Sequence, residues 1–193
     1  MFRFFWKSWL KLAGWNTDIQ FPAHIKKMVI IVAPHTSTWD FPLGLAYRSV
    51  CRMKNTHFLG KAELFKKPFG FIFSWLGGTP VDRKSKQNVV EQVTAEFNKH
   101  EEFILAIAPE GTRKKVDNLR TGFYFIAKAA KVPILMTGLD FENKTLVVAE
   151  PFFPSDDEAA DFKKIIHFFG PIKGGNAELG LSHLMNESDQ NKQ

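Results

Sequence analysis

Cysteine is almost absent from this chain. Cys51 is the only one in 193 residues, which excludes an internal disulfide framework and suits a reducing compartment. Its neighbours alternate apolar and basic on an expected helix, so it reads as a packed thiol in preference to a nucleophile. Long hydrophobic runs are missing too. The longest uncharged stretch, residues 68–81, contains two Pro and three Gly and is too short to span a bilayer as a helix. A secretory pattern is also lacking, because Arg3, Lys7 and Lys11 are spread through the apolar residues instead of preceding them. Tyrosine is scarce, with 2 Tyr against 20 Phe and 5 Trp. Such an excess of Phe and Trp fits either a Phe-rich core or a surface that meets lipid. No zinc-ligand spacing, glycine-rich dinucleotide loop or internal repeat is found.

What is present describes a folded, basic protein. Hydrophobic residues make up 45% and charged residues 24%, which argues against wholesale disorder. The net charge of +6 attracts polyanions, either nucleic acid or anionic headgroups. The first fifteen residues place Phe2, Phe5, Trp6, Trp9, Leu10 and Ala13 on one helical face, with Arg3, Lys7, Ser8 and Lys11 on much of the other. This composition fits a membrane-surface helix over residues 1–15; a helix packed on the domain itself is the alternative.

Apolar runs then alternate with helical patterns. Residues 28–33 (MVIIVA), 56–60 and 103–108 (FILAIA) read as strands, and 133–139 as extended. Helical patterns cover 42–54, a segment from Ser85 with Val89, Val93 and Phe97 on one face, and 121–131. A hairpin turn is expected over 141–144. A last helix is expected after a Ser155–Glu158 capping box, with Ala159, Phe162, Ile166 and Phe169 inward. Continuous apolar strands separated by helices predict a single α/β domain, residues 16–172, with a mostly parallel central sheet flanked by helices. Residues 173–193 are expected to be a loose tail.

The chemistry-bearing residues follow the strands. Pro34-His-Thr-Ser-Thr-Trp-Asp40 follows the first, Lys61 the second, and Pro109-Glu-Gly-Thr-Arg113 the FILAIA run. Sites in open α/β sheets form outside the carboxyl ends of strands, so these clusters meet if their strands are parallel neighbours. His35 can take a hydroxyl proton, and Asp40 can orient the ring and stabilise the imidazolium. Helix capping through Ser37 or Thr38 explains the same segment without catalysis. Arg113 can grip phosphate through its planar fork, and Gly111 allows close backbone approach. Arg83 and Lys61 add further positive charge; salt bridging of Glu110 to neighbouring bases is the alternative.

Together these residues resemble the lysophosphatidic acid acyltransferase family of glycerophospholipid acyltransferases. His35, Ser37 and Asp40 match its first block, and Gly77, Val81 and Arg83 its second. Pro109 to Arg113 match the third in full, and Val132, Pro133 and Ile134 the fourth. The similarity runs in order from about Val29 to Ile134. Departures are Pro34 where the family usually has Asn, Pro80 and Ala108 where it has aromatics, and Lys114 where it has Ser. The match is to a short bacterial type without the longer membrane-embedded N-terminus of some members.

The resemblance implies His35 and Asp40 as the catalytic base and its partner. It implies Lys61, Arg83, Glu110, Gly111, Thr112 and Arg113 as acceptor-binding residues. The implied reaction moves a fatty acyl group from coenzyme A or acyl carrier protein to lysophosphatidic acid, with no metal and no cofactor beyond the donor. The implied location is peripheral, on the cytoplasmic face of the cell membrane, with no nucleic-acid partner. Rival readings are an acyltransferase for another lysolipid, such as an amino-acid-containing one, a thioesterase, and a basic binding module without catalysis.

Overall fold

Two apolar runs far apart in the chain become adjacent central strands. In the computed structural model, which describes residues 2–53, 55–61, 65–66, 70–81 and 88–185, MVIIVA forms β1 (Lys27–Val32) and FILAIA forms β4 (Phe103–Ile107). They pair in parallel, Met28 opposite Ile104 and Ile31 opposite Ile107. The other strands are β2 (Thr56–Lys61), β3 (Gly78–Val81), β5 (Ile134–Asp140) and β6 (Thr145–Val148). Among the described residues, the six strands form one sheet in the order β3-β2-β4-β1-β5-β6. Only β6 is antiparallel, through the hairpin that pairs Thr137 with Val148. The chain is therefore a single α/β domain with a mostly parallel sheet.

Strand periodicity divides the core into two layers. Val29, Ile31 and Ala33 point to one side, where they join Val93, Phe97, Phe123, Ile165 and Phe169. That layer is built by α4 (Val89–Lys99), α5 (Gly122–Ala130) and α6 (Glu158–Phe169). Met28 and Ile30 point to the other side. There α1 (Phe2–Leu12) and α2 (Asp40–Val50) cover the sheet, with Leu10, Leu43, Ala46, Tyr47 and Val50 buried. Each fully buried Leu, Ile or Phe contributes about 1.5–3 kcal/mol of transfer free energy.

Several expectations need correction. Short elements α3 (Gly70–Trp75) and β3 carry too little periodicity to be read from sequence. Gly77, between them, has φ +93 and leaves room for the Thr56 carbonyl, which a Cβ would meet at 2.6 Å. Helix α4 starts at Val89, where the Asn88 side chain caps it by accepting from the Val90 N–H; Ser85, the expected start, lies outside the described residues. Helix α6 is capped by Asp157, which accepts from the Ala160 N–H at 2.9 Å. Ser155 donates its backbone N–H to Asp161 Oδ2 instead, so the expected capping box does not form, and Ala159 is exposed.

The two chain ends also depart from expectation. Helix α1 packs on α2: Leu10 is fully buried, Trp6 and Trp9 lie against the same cluster, and Arg3 Nε donates to the Val50 carbonyl. Leu10, Trp6 and Trp9 therefore face protein, and the apolar residues left in solvent are Phe2, Phe4, Phe5 and Leu12. The segment expected to be loose from residue 173 is packed through Met185. Leu181 and Leu184 are buried in the main core, and His183 Nε2 lies 2.8 Å from the Val116 carbonyl oxygen. Apolar residues in a polar, glycine-rich setting give no local periodicity, so their burial is a long-range event.

Candidate active site

Parallel order brings three clusters to one edge. Strands β2, β4 and β1 are consecutive in the sheet, so Lys61, the loop after Ile107 and the loop after Val32 all leave from carboxyl ends. Lys61 ends β2 opposite Val81 of β3. Arg83 lies outside the described residues.

At this edge His35 Nδ1 is 2.9 Å from Asp40 Oδ2. Local chain geometry makes the pair. The loop leaves β1, and Asp40 enters the first turn of α2, where a carboxylate complements the helix N-terminus. The Ser37 N–H donates to the same Oδ2 at 2.9 Å, and Ser37 Oγ accepts from the Trp39 N–H. The helix has no side-chain cap from Trp39, so Ser37 orders the turn while Asp40 serves the histidine. Asp40 is buried, and His35 keeps 28% of its side chain exposed. A ring that donates Nδ1–H to a carboxylate has Nε2 left to accept a proton.

Glu110 is only 3% exposed, and its Oε1 accepts the His35 backbone N–H at 2.7 Å. Burial pushes its carboxyl pKa up, and the hydrogen bond from His35 opposes that push. Glu110, expected among the acceptor-binding residues, sits beneath the histidine loop and holds it through this bond. Its Oε2 and Asp40 Oδ1 have no hydrogen-bond partner among the described residues. Gly111 turns with φ +66 beside the Arg120 side chain. Thr112 Oγ1 accepts from the Lys114 N–H, and Arg113 is exposed. Arg120, whose N–H bonds the Pro109 carbonyl, is a cation near this loop that motif reading passes over.

A second contact to the loop comes from the far end of the chain. Thr36, buried beside His35, accepts the Asn176 N–H at Oγ1, and Asn176 Nδ2 donates to its carbonyl. Gly174 makes the approach possible, since a Cβ there would meet Thr36 Oγ1 at 2.5 Å. Nothing in the local sequence around Asn176 signals this contact.

The His35–Asp40 pair opens onto an apolar cavity of about 220 Å³ between α2 and the sheet. Ile30, Val32, Phe41, Leu45, Phe58 and Ala106 are among its walls. Arg48, at its flank, donates Nη1 to the Leu76 carbonyl. Cys51 takes no part: it is buried, and burial pushes its thiol up to about 11. No group of three or more His, Cys, Asp or Glu side chains suited to a metal occurs among the described residues, and none of the described helices is long and apolar enough to cross a membrane.

No curated protein matches the sequence significantly. Among solved structures, the chain resembles the 1-acyl-sn-glycerophosphate (LPA) acyltransferase PlsC from Thermotoga maritima, with a TM-score of 0.56 and 19% identity over 99% of this chain and 78% of that one. At that identity the likeness establishes the fold. The Acyltransferase family model matches residues 17–138, which span β1 through most of β5 and contain His35, Asp40 and Glu110. With well over half its length matched, and with the histidine–aspartate pair at the sheet's carboxyl edge, this chain belongs to the Acyltransferase family.

Proposed function

We propose that this protein transfers a fatty acyl group from an acyl thioester, carried by coenzyme A or acyl carrier protein, to the free hydroxyl of a lysophospholipid, with lysophosphatidic acid as acceptor and phosphatidic acid as product. The observation that carries this reading is the His35–Asp40 pair at the mouth of an apolar cavity. A polar reaction centre joined to a lipid-like compartment suits a substrate with a reactive carbonyl and a long chain.

In this reading, His35 Nε2 takes the acceptor hydroxyl proton while Asp40 stabilises the imidazolium. The hydroxyl oxygen bonds to the thioester carbon. The resulting tetrahedral oxyanion collapses, the carbon–sulfur bond breaks, and the thiolate leaves with the proton returned by His35. Glu110, at the His35 N–H, and Asn176, at Thr36, hold the backbone on either side of the imidazole, which favours a fixed base. Arg113, with Arg83 and Lys61, supplies charge for the acceptor phosphate, and Arg120 is added to that set by its place beside Gly111.

A lipid surface is the proposed partner. Phe2, Phe4, Phe5 and Leu12 of α1 stand in solvent on a helix that also carries Lys7 and Lys11, a pairing suited to anionic headgroups. Trp39 and Phe41, next to the catalytic loop, are exposed as well. The protein would then work as a peripheral enzyme on the cytoplasmic face.

The test offers purified protein long-chain acyl thioesters with lysophosphatidic acid and, in parallel, a lysolipid of the same chain without phosphate, and reads products by mass. Diacyl product from the phosphate-bearing acceptor is expected, with Arg113→Lys clearly impaired and Arg113→Ala more so. Preference for the phosphate-free acceptor would remove lysophosphatidic acid as substrate. Free fatty acid as the sole product would make the enzyme a thioesterase.

A further inference from the structure

The polar loop after β4 is closed on itself. Arg120 donates its backbone N–H to the Pro109 carbonyl at 2.7 Å, so residues 109–120 leave and return to one place. Arg113, Lys114, Lys115 and Arg120 are exposed along it, against one acid, Asp117. Like charges this close repel, and ordering an exposed loop costs conformational entropy that other contacts must offset. Leu119 is buried, and Val116 packs against the main core. A further contact comes from far along the chain. His183 Nε2 lies 2.8 Å from the Val116 carbonyl oxygen, across 67 residues of sequence. A carbonyl can only accept, so the imidazole donates.

His183 belongs to the segment that also holds the histidine loop. A Cβ at Gly174 would meet Thr36 Oγ1 at 2.5 Å, and one at Gly175 would meet Ser37 Cβ at 2.6 Å. Asn176 bonds Thr36 twice. Leu181 and Leu184, on either side of His183, are buried in the main core. One segment is thus pinned to the His35 loop at 174–176, anchored in the core at 181 and 184, and bonded to the basic loop at 183. It joins the two halves of the site, the base and the arginines.

We propose that His183 is a positioning residue for the acceptor: by holding the Val116 carbonyl it fixes the loop that carries Arg113 and Arg120 at a set place relative to His35, and so sets the preference for a phosphate-bearing acceptor. The inference rests on the acyl-transfer reading above, in which those arginines meet the acceptor phosphate. His183 acts through Val116, not on the substrate. Without the bond the arginines keep their charge but lose their fixed place. A phosphate gripped out of position carries its hydroxyl away from His35 Nε2, and a small misplacement of a reacting group is costly. An acceptor without phosphate makes no use of the loop charges, so its turnover is spared.

The experiment uses the full chain with a saturating long-chain acyl-coenzyme A and two acceptors, lysophosphatidic acid and a lysolipid of the same chain without phosphate. The ratio of their kcat/KM values is read for wild type, His183→Leu and His183→Gln, with melting temperatures alongside. The expected result is a fall in that ratio of about tenfold for His183→Leu, carried by KM for lysophosphatidic acid, with much of it restored in His183→Gln, whose amide keeps a donor. Should His183→Leu not fold, His183→Asn decides, because its shorter amide falls back from Val116 while staying polar. A folded variant that loses activity on both acceptors alike, or keeps the wild-type ratio, overturns the positioning role and leaves acyl transfer to the phosphate-bearing acceptor standing. Wild type that transfers no acyl group, or that prefers the phosphate-free acceptor, overturns the reading on which this inference rests, and the inference with it.

Discussion

Asn176 and Thr36 are joined by two hydrogen bonds across 140 residues of sequence, Asn176 N–H to Thr36 Oγ1 at 3.0 Å and Asn176 Nδ2 to the Thr36 carbonyl at 2.9 Å. Thr36 directly follows His35, so a segment beyond the family match, which ends at residue 138, helps to fix the backbone that carries the imidazole. Glu110 holds the other side through the His35 N–H. The backbone at His35 is thus held from two directions, by Glu110 and by Asn176.

Asn176→Ala removes one donor and leaves the buried Thr36 carbonyl short of a partner. The expected cost is about 1–3 kcal/mol of stability, with kcat lowered about tenfold or more as the base loses its alignment and KM for the acyl donor little changed. Asn176→Gln, which keeps the donor, should restore part of the rate. Steady-state kinetics below the melting range decide the matter. A variant that melts earlier but keeps wild-type kcat would limit Asn176 to a purely structural role.

His35→Ala is expected to lower turnover by roughly 10²–10⁴-fold, the usual worth of general-base catalysis. Asp40→Asn should be severe as well. Its amide oxygen can still accept from the ring and from the Ser37 N–H, but it carries no charge to stabilise an imidazolium. Near-wild-type turnover in a folded His35→Ala protein would remove the proposed mechanism.

Glu110 makes a prediction about pH. Burial raises its folded pKa, so the folded state binds this proton more readily than the unfolded chain does. The favourable contribution is fully present below the unfolded carboxyl pKa and is lost as pH rises through the folded value. Glu110→Gln abolishes the titration while keeping an oxygen for the His35 N–H. Stability of wild type relative to Glu110→Gln should therefore increase as pH falls into the ordinary carboxylate range near about pH 4. Denaturant unfolding at several pH values measures this, and a relative stability that falls on acidification contradicts it.

Helix α1 separates two roles on its surface. Leu10 is fully buried, so Leu10→Ala should cost about 2–5 kcal/mol and lower the melting temperature. Phe2 and Phe4 are 70% and 81% exposed, so Phe2→Ser with Phe4→Ser should leave stability nearly unchanged and weaken binding to anionic vesicles. Sedimentation with vesicles and thermal melting, run on the same samples, distinguish the two. Undiminished vesicle binding by the double variant would exclude this face of α1 as the lipid contact. Deleting residues 2–15 is a poorer test, because it also strips Leu10 and Trp15 from the core.

Much of this molecule was legible locally. The apolar runs of β1 and β4 are buried on both faces of a parallel sheet, and such strands announce themselves by composition. His35 and Asp40 lie one turn apart, so their meeting needed only a strand end followed by a helix start. The sequence by itself thus determined the α/β class, the nearness of His35 to Asp40 and the polar loop after β4, because each depends on spacings of a few residues. Tertiary structure alone decided the rest. It placed Glu110 under His35 from 75 residues away, drew Asn176 onto Thr36, turned Trp6, Trp9 and Leu10 inward, and buried Leu181 and Leu184 in a segment that looked like tail. These contacts join distant parts of the chain through single side chains and close backbone approaches, and such contacts leave no periodicity in the sequence. The cavity beneath α2 is likewise a property of how a helix stands off a sheet, and it exists only once both are packed.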